Sequence, residues 1–311
     1  MSRRFWMPME ISNLNYFLDP SKRVYWIFVL SSIIIALIYL LLNPKHRKLN
    51  FSKALWLHPS ALLDYYYFFI SAIIKLMIIL PIVIGAKEVA LKVNQLLISL
   101  FGFTRVYSFS YLEVMLMFTF SLFVFSDFTR YWLHRLMHNI TWLWEFHKVH
   151  HSAKVLNPLT FYRVHPVENL LFGFRYSLSA GLVSGIFFYL FGSLINVYDI
   201  LGVNVISYIF ILLGSNLRHS HIPLSYLSVI ENILISPRQH QIHHGRDHSN
   251  SNFGGFLAIW DKIFGTLAES KNIGTIKIGI DKKQMKNYKS ISNILLFPFI
   301  SIFRNSNKSS H

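Results

Sequence analysis

Twelve of the 15 histidines fall between His134 and His248, and eight of these sit in three tight motifs: HRLMH (His134, His138), HKVHH (His147, His150, His151) and HQIHH (His240, His243, His244). On a helix, residues at i, i+3 and i+4 share a face, so each motif can aim two or three imidazoles at one point. Imidazole suits iron, zinc, copper or nickel, whereas magnesium and calcium want oxygen ligands. A lone HxxxH pair is weak evidence, being more often a surface feature or a satisfied buried histidine. Eight rings, however, exceed the coordination positions of one octahedral ion, so the motifs together point to two metals. The chain has no cysteine, which excludes thiolate sites and a disulfide scaffold.

The motifs need elements to hold them. Ser236-Pro237-Arg238-Gln239 reads as a helix start, with an N-cap serine, proline in the first turn and a glutamine closing a capping box, and Gly245 stands where that helix would stop. Asn139 to Thr141 separates HRLMH from HKVHH, placing them on two helices that can turn toward each other. Asp127 lies near the helix face of His134 and His138, where a carboxylate could accept a hydrogen bond from a ligand ring and fix its tautomer. Glu145, Glu168 and Asp247 are further candidates for that role, weighed equally against capping or pairing with Arg130, Lys148, Arg175 or Arg246. His219 and His221, in RHSHIP, fall just after an apolar run, and His165 follows the second motif. His248 reads as a loop residue, and His46, His58 and His311 are remote.

Composition sets the surroundings. With 53% hydrophobic and 14% charged residues and a mean hydropathy of +0.41, much of the surface must face something other than water. A disordered chain is excluded. The formal charge of +16 would suit nucleic acid on a large aqueous surface, but here it reads as loops against anionic lipid, with no nucleic-acid partner. Spans are expected at 24–42, 65–85, 111–126, 170–191 and 197–214, the last two forming a hairpin, with 90–103 too short to cross and lying in the interface. Lys75 is expected to snorkel or pack, with the bundle interior as the other possibility. Taking the first span as outside-to-inside, the inner segments carry 21 lysines and arginines and the outer ones 7, which puts the histidines in the cytoplasm. The expected architecture is an all-α integral membrane bundle of about four to five spans with a histidine-rich helical cap. Residues 1–110 form its N-terminal membrane region, 111–267 its catalytic domain and 268–311 a basic tail whose SISNILLFPFISIF resembles an interfacial anchor.

SDFTRYWLHRLMH, WLWEFHKVHHSAKVLNPLTFYRVHPVE, RHSHIPL and ISPRQHQIHHGRDHSNSNFGGFLAIWDKIFGTL together resemble the membrane-bound fatty acid hydroxylase and sterol desaturase superfamily over residues 111–267. The resemblance implies a di-iron centre on His134, His138, His147, His150, His151, His219, His240, His243 and His244. Some members carry another histidine where this chain has Ser215, leaving His165 or His221 to stand in as a tenth ligand. It also implies dioxygen-dependent hydroxylation or desaturation of a sterol, fatty acyl or related lipid. Electrons would come from a separate reductase or electron-transfer protein, since no GxGxxG follows a strand, or from a reduced pterin as in the ether-lipid branch of alkylglycerol monooxygenases, which HHGRD, NFGG and IWDKIFGT also resemble. Trp132, Trp142, Trp144, Phe161 and Tyr162 are candidate cavity walls, with core packing the commoner role for any one. A histidine-lined metal transporter is the alternative of another class, disfavoured because the clusters lie outside the apolar runs. A zinc hydrolase would want a glutamate within its motif, and a bis-histidine haem would use few of the rings.

Overall fold

The structure is a computed structural model and describes residues 16–46, 52–103, 109–192, 195–196, 199–200 and 203–306. It is mostly helical. Helix α1 is Trp26–Leu42 and α2 is Pro59–Ile74, which continues through a π-helical turn at Lys75–Ile79 and a last turn at Leu80–Ile82. After a break at 83–85 come α3 (Ala86–Phe101), α4 (Tyr111–Asn139), α5 (Thr141–His151) and α6 (Pro166–Phe191). A two-stranded antiparallel hairpin, β1 (Asp199–Ile200) with β2 (Val203–Asn204), leads into α7 (Val205–Leu212); α8 (Pro237–His243) and α9 (Ile291–Ser306) follow.

Helices α3, α4 and α6 form the bundle. Val83, Val89 and Val93 meet Gly173, Gly181 and Gly185 in that order, so α3 runs parallel to α6 at a distance only glycine permits. A Cβ at Gly181 would lie 2.4 Å from that of Val89, and one at Gly185 would lie 2.6 Å from that of Val93. Thr129 Oγ1 meets Ser179 Oγ at 2.8 Å while Phe118 packs on Phe187, so α4 runs antiparallel to α6 and brings the chain back toward the histidines. The Ser110–Glu113 capping box starts α4, and Ile140 ends it in extended conformation, just before α5.

Among the described residues, three segments are long and apolar enough to cross a membrane: 59–101, 111–139 and 166–191. They support an integral membrane protein. Among the described residues the other expected spans form shorter helices. The apolar run 24–42 becomes α1, whose start and end both meet the stretch 208–224: Asn216 donates to the Arg23 carbonyl, and Leu40 clusters with Leu217 and Ile222. Of 197–214, only the eight residues of α7 are helical among the described residues, too short for a hairpin of two spans. The stretch 90–103, expected at the interface, falls largely within α3 and packs lengthwise on α6. The apolar end of the chain forms α9, which sets Phe299 on Phe146 of α5.

Candidate metal centre

Nine imidazoles converge in two neighbouring groups, His134, His138, His147, His151 and His243 in one and His150, His219, His240 and His244 in the other, the ligand atoms of each group lying within 4.8 Å of one another. These are the nine positions singled out by the motifs and by RHSHIP. Helix geometry explains the division. In α5, His147 and His151 are one turn apart and face the first group, while His150 is rotated about 100° from His151 and faces the second. The third motif does the converse, His240 and His244 entering the second group and His243 the first. Each HxxHH motif therefore contributes to both groups.

The ring tautomers test whether the donors fit a cation. His134 Nδ1 donates to the Phe253 carbonyl at 2.8 Å and His147 Nδ1 to Glu168 Oε1 at 2.9 Å. A neutral imidazole carries one ring proton, so both Nε2 atoms present lone pairs, yet they face each other at 3.1 Å. Facing lone pairs repel unless a cation lies between them. Two nitrogens each about 2.1 Å from one ion at right angles would be about 3 Å apart. His243 repeats the pattern, with Nδ1 donating to the Ser251 carbonyl at 2.8 Å and Nε2 buried without a partner among the described residues, as are His138 Nε2 and His151 Nε2. In the second group, His219 Nε2 meets Nε2 of His150, His240 and His244 at 3.1–3.2 Å, three contacts that one ring proton cannot satisfy. The residues present fit a metal ion in each group.

Burial favours the neutral ring that ligation requires. It pushes the pKa of His147 down to about 3, and burial followed by neighbouring imidazoles holds His151, His240 and His244 well below the usual range.

Among the carboxylates, Glu168, at the start of α6, reaches a ring. Asp127 does not. Its oxygens accept from the backbone N–H of Phe256 and Leu257 and from the Trp260 indole at 2.7, 2.9 and 3.1 Å, so it clamps the loop whose Phe253 carbonyl receives His134. The loop passes close enough that a Cβ at Gly255 would lie 2.4 Å from Asp127 Oδ1. Glu145 pairs with Lys148 at 2.6 Å. His165 lies outside both groups, with Nδ1 accepting from Val167 N at the cap of α6 and Nε2 donating to the Leu295 carbonyl. His221 packs edge-on to Trp56, also outside the groups, and Ser215 accepts from Arg23 Nη1 at 2.7 Å. Of the aromatics, Phe161 and Tyr162 line a cavity beside the histidines, Trp144 lies against His138 and His151, Trp132 packs on Phe264, and Trp142 is half exposed.

Two supports were not singled out from the sequence. Asp261 accepts from the N–H groups of Phe253 and Gly254, both at 2.8 Å, and from the Thr266 hydroxyl, fixing the same loop from its other side. Asp64, on α2, holds Arg163 at 3.0 Å with both groups buried; the Arg163 Nε donates to the Val149 carbonyl, and its own carbonyl receives His150 Nδ1. The available pointer was Asp64 itself, an isolated acid at the edge of an apolar run.

Residues 119–266 match the family model described as fatty acid hydroxylase. The chain is 32% identical over 157 residues to human alkylglycerol monooxygenase, covering 50% of this chain and 32% of that protein. It is 30% identical over 167 residues to ornithine lipid hydroxylase of Rhizobium tropici, covering 53% of this chain and 46% of that protein. The zebrafish (Danio rerio) alkylglycerol monooxygenase is 33% identical over 144 residues, 46% of this chain and 28% of that protein. The chain thus matches less than half the length of each of these relatives. No solved structure matches significantly. The stretch that gathers the nine imidazoles thus matches the fatty acid hydroxylase model, and over that stretch the chain is similar to alkylglycerol monooxygenase and ornithine lipid hydroxylase.

Proposed function

We propose that the protein is a membrane-bound iron oxygenase that hydroxylates or desaturates a lipid, with one iron in each histidine group. What carries the reading is the convergence of nine imidazoles, with the Nε2 lone pairs of His134 and His147 facing each other and three Nε2 atoms crowded on that of His219, contacts that a cation would satisfy. Iron held this way supplies dioxygen activation and oxidation of an unactivated C–H bond.

The chain's own part is to hold and orient. Glu168 fixes the tautomer and angle of His147, the loop clamped by Asp127 and Asp261 does so for His134, and Arg163 does so for His150. A cavity of about 270 Å³ reaches from His134, His147 and His219 past Phe161 and Tyr162 to Phe172, between α2, α4 and α6, and offers a lipid a path shielded from water. Two electrons must come from outside, from a reductase partner or a reduced pterin. Similarity to the alkylglycerol monooxygenases favours testing ether-lipid oxidation with pterin as a second reading. The positive charge of the cap-side segments favours a cytoplasmic site.

Purified after growth with iron, the full chain should hold about two iron ions, and His150→Ala or His243→Ala should lose metal together with lipid-dependent dioxygen consumption. One zinc and no iron, with lipid oxidation intact, would refute the reading.

A further inference from the structure

The cavity beside the histidines is cationic. Among the described residues Lys22, Arg23, Lys75, Arg130, Arg175 and Arg218 line it, against one lining carboxylate, Glu168, which accepts from His147. Lys75 therefore faces this interior, where the π-helical turn begins, rather than snorkelling away from it.

Some of these cations have structural work. Lys22 pairs with Asp19, Arg175 donates to the Ser126 carbonyl at 2.6 Å, and Arg218 donates to the carbonyls of Gly255 and Ile235. A carbonyl satisfies a donor but does not neutralise its charge. Among the described residues Arg23 meets the neutral Ser215 hydroxyl and the Phe161 face, and Arg130 sits about 6.0 Å from the Phe172 ring. Among the described residues none of Arg23, Arg130 and Arg218 forms an ion pair, and the Nε of Arg218 is buried without a partner. Burial first, and then the charges of Arg218 and Arg130, hold the pKa of the Arg23 guanidinium well below its usual value. Asp127 and Glu168 act on Arg130, and Asp127 on Arg218, from beyond ion-pair distance, so the cations around the cavity outnumber the carboxylates near them. Burying like charges in excess of their counter-charges is costly unless a ligand brings the opposite sign.

We propose that the substrate lipid carries an anionic headgroup, a phosphate or carboxylate, which seats among Arg23, Arg130 and Arg218. The inference rests on the lipid-oxygenase reading and adds the chemical class of the substrate. The arginines share the cavity wall with His134, His147, His150, His219 and His240, so the group that neutralises them would lie beside the metal groups. Arginine suits this role because its planar fork matches phosphate and carboxylate oxygens.

The test uses the full iron-loaded chain in an uncharged detergent. Binding of hexadecyl phosphate, of uncharged hexadecylglycerol and of inorganic phosphate is followed by thermal stabilisation and tryptophan fluorescence. The alkyl phosphate should bind at least about tenfold more tightly than the alkylglycerol. Arg130→Gln and Arg23→Gln should each remove about tenfold of that preference at unchanged iron content, with Arg130→Lys retaining part of it. Two variants guard against one that fails to fold. Equal affinity for the two lipids, or preference intact in both glutamine variants, overturns the proposal. Stabilisation by inorganic phosphate at the same concentration as the alkyl phosphate would assign the site to a free anion and also overturn it. Iron content and lipid oxidation are read on the same samples: an iron-loaded chain that oxidises only uncharged lipid defeats the headgroup inference alone, whereas anionic-lipid binding without iron or oxidation defeats the oxygenase reading and leaves the anion site standing.

Discussion

Replacing Glu168 by alanine removes the carboxylate that, among the described residues, touches a ring of the centre. In the native chain Glu168 Oε1 accepts from His147 Nδ1 at 2.9 Å, with both side chains almost fully buried. A hydrogen bond to a charged group in such a setting contributes about 1.5–3 kcal/mol. At about 1.4 kcal/mol per decade this corresponds to roughly 10- to 100-fold in affinity for the ion that His147 helps hold, the range seen when partners behind metal-ligating histidines are removed. The loss should fall mainly on the five-histidine group, because no ring of the other group contacts Glu168. Glu168→Gln, which keeps a neutral acceptor, should lose less, about tenfold at most. Iron retained against a graded chelator series gives the affinities, with a monodisperse elution profile showing that each variant is folded. An alanine variant that holds both ions as tightly as the native chain would refute the orienting role and the division into groups on which it rests.

Further outcomes follow from other contacts. His165→Ala should leave iron content unchanged, because both ring nitrogens are engaged by Val167 and Leu295; it should cost about 0.5–2 kcal/mol of stability as a lost helix cap, readable as a lower Tm. Gly181→Leu and Gly185→Leu should each destabilise the bundle by about 1–3 kcal/mol, since even a Cβ there overlaps Val89 or Val93; an unchanged Tm would show that α3 does not pack on α6 this way. In the metal-free chain, an unfolded imidazole takes a proton near pH 6.5 while folded His147 resists until about 3. The unfolded state therefore binds more protons between those values, and Tm should be level above about pH 6.5 and fall as pH drops toward 3.

The histidines were legible because a spacing of three and four on a helix is a geometric statement that survives any tertiary context. The Ser236–Gln239 capping box was legible for the same reason, being settled within four residues. Which ring joins which group was not, since that depends on how α5 and α8 face each other. Asp127 shows the limit: its placement near the helix face of His134 and His138 was read correctly, but the N–H groups of Phe256 and Leu257 take its oxygens, and sequence spacing does not report what approaches from 130 residues away. Asp64 and Arg163 met across 99 positions for the same reason. Apolar runs proved ambiguous in another way. The residues of α1 and α7 are greasy enough for lipid, yet α1 packs Phe28 against Tyr208 of α7, because hydropathy measures aversion to water and not which apolar neighbour relieves it.

Six of the nine rings come from two short stretches, 147–151 and 240–244, and each feeds both clusters. The spacing between the two clusters is thus dictated by the relative pose of a pair of brief helical segments, not by the long bundle beneath them. Such a framework tolerates wide drift in the rest of the chain but no insertion within either stretch, where one added residue would turn the following rings by about 100° and hand them to the wrong neighbour.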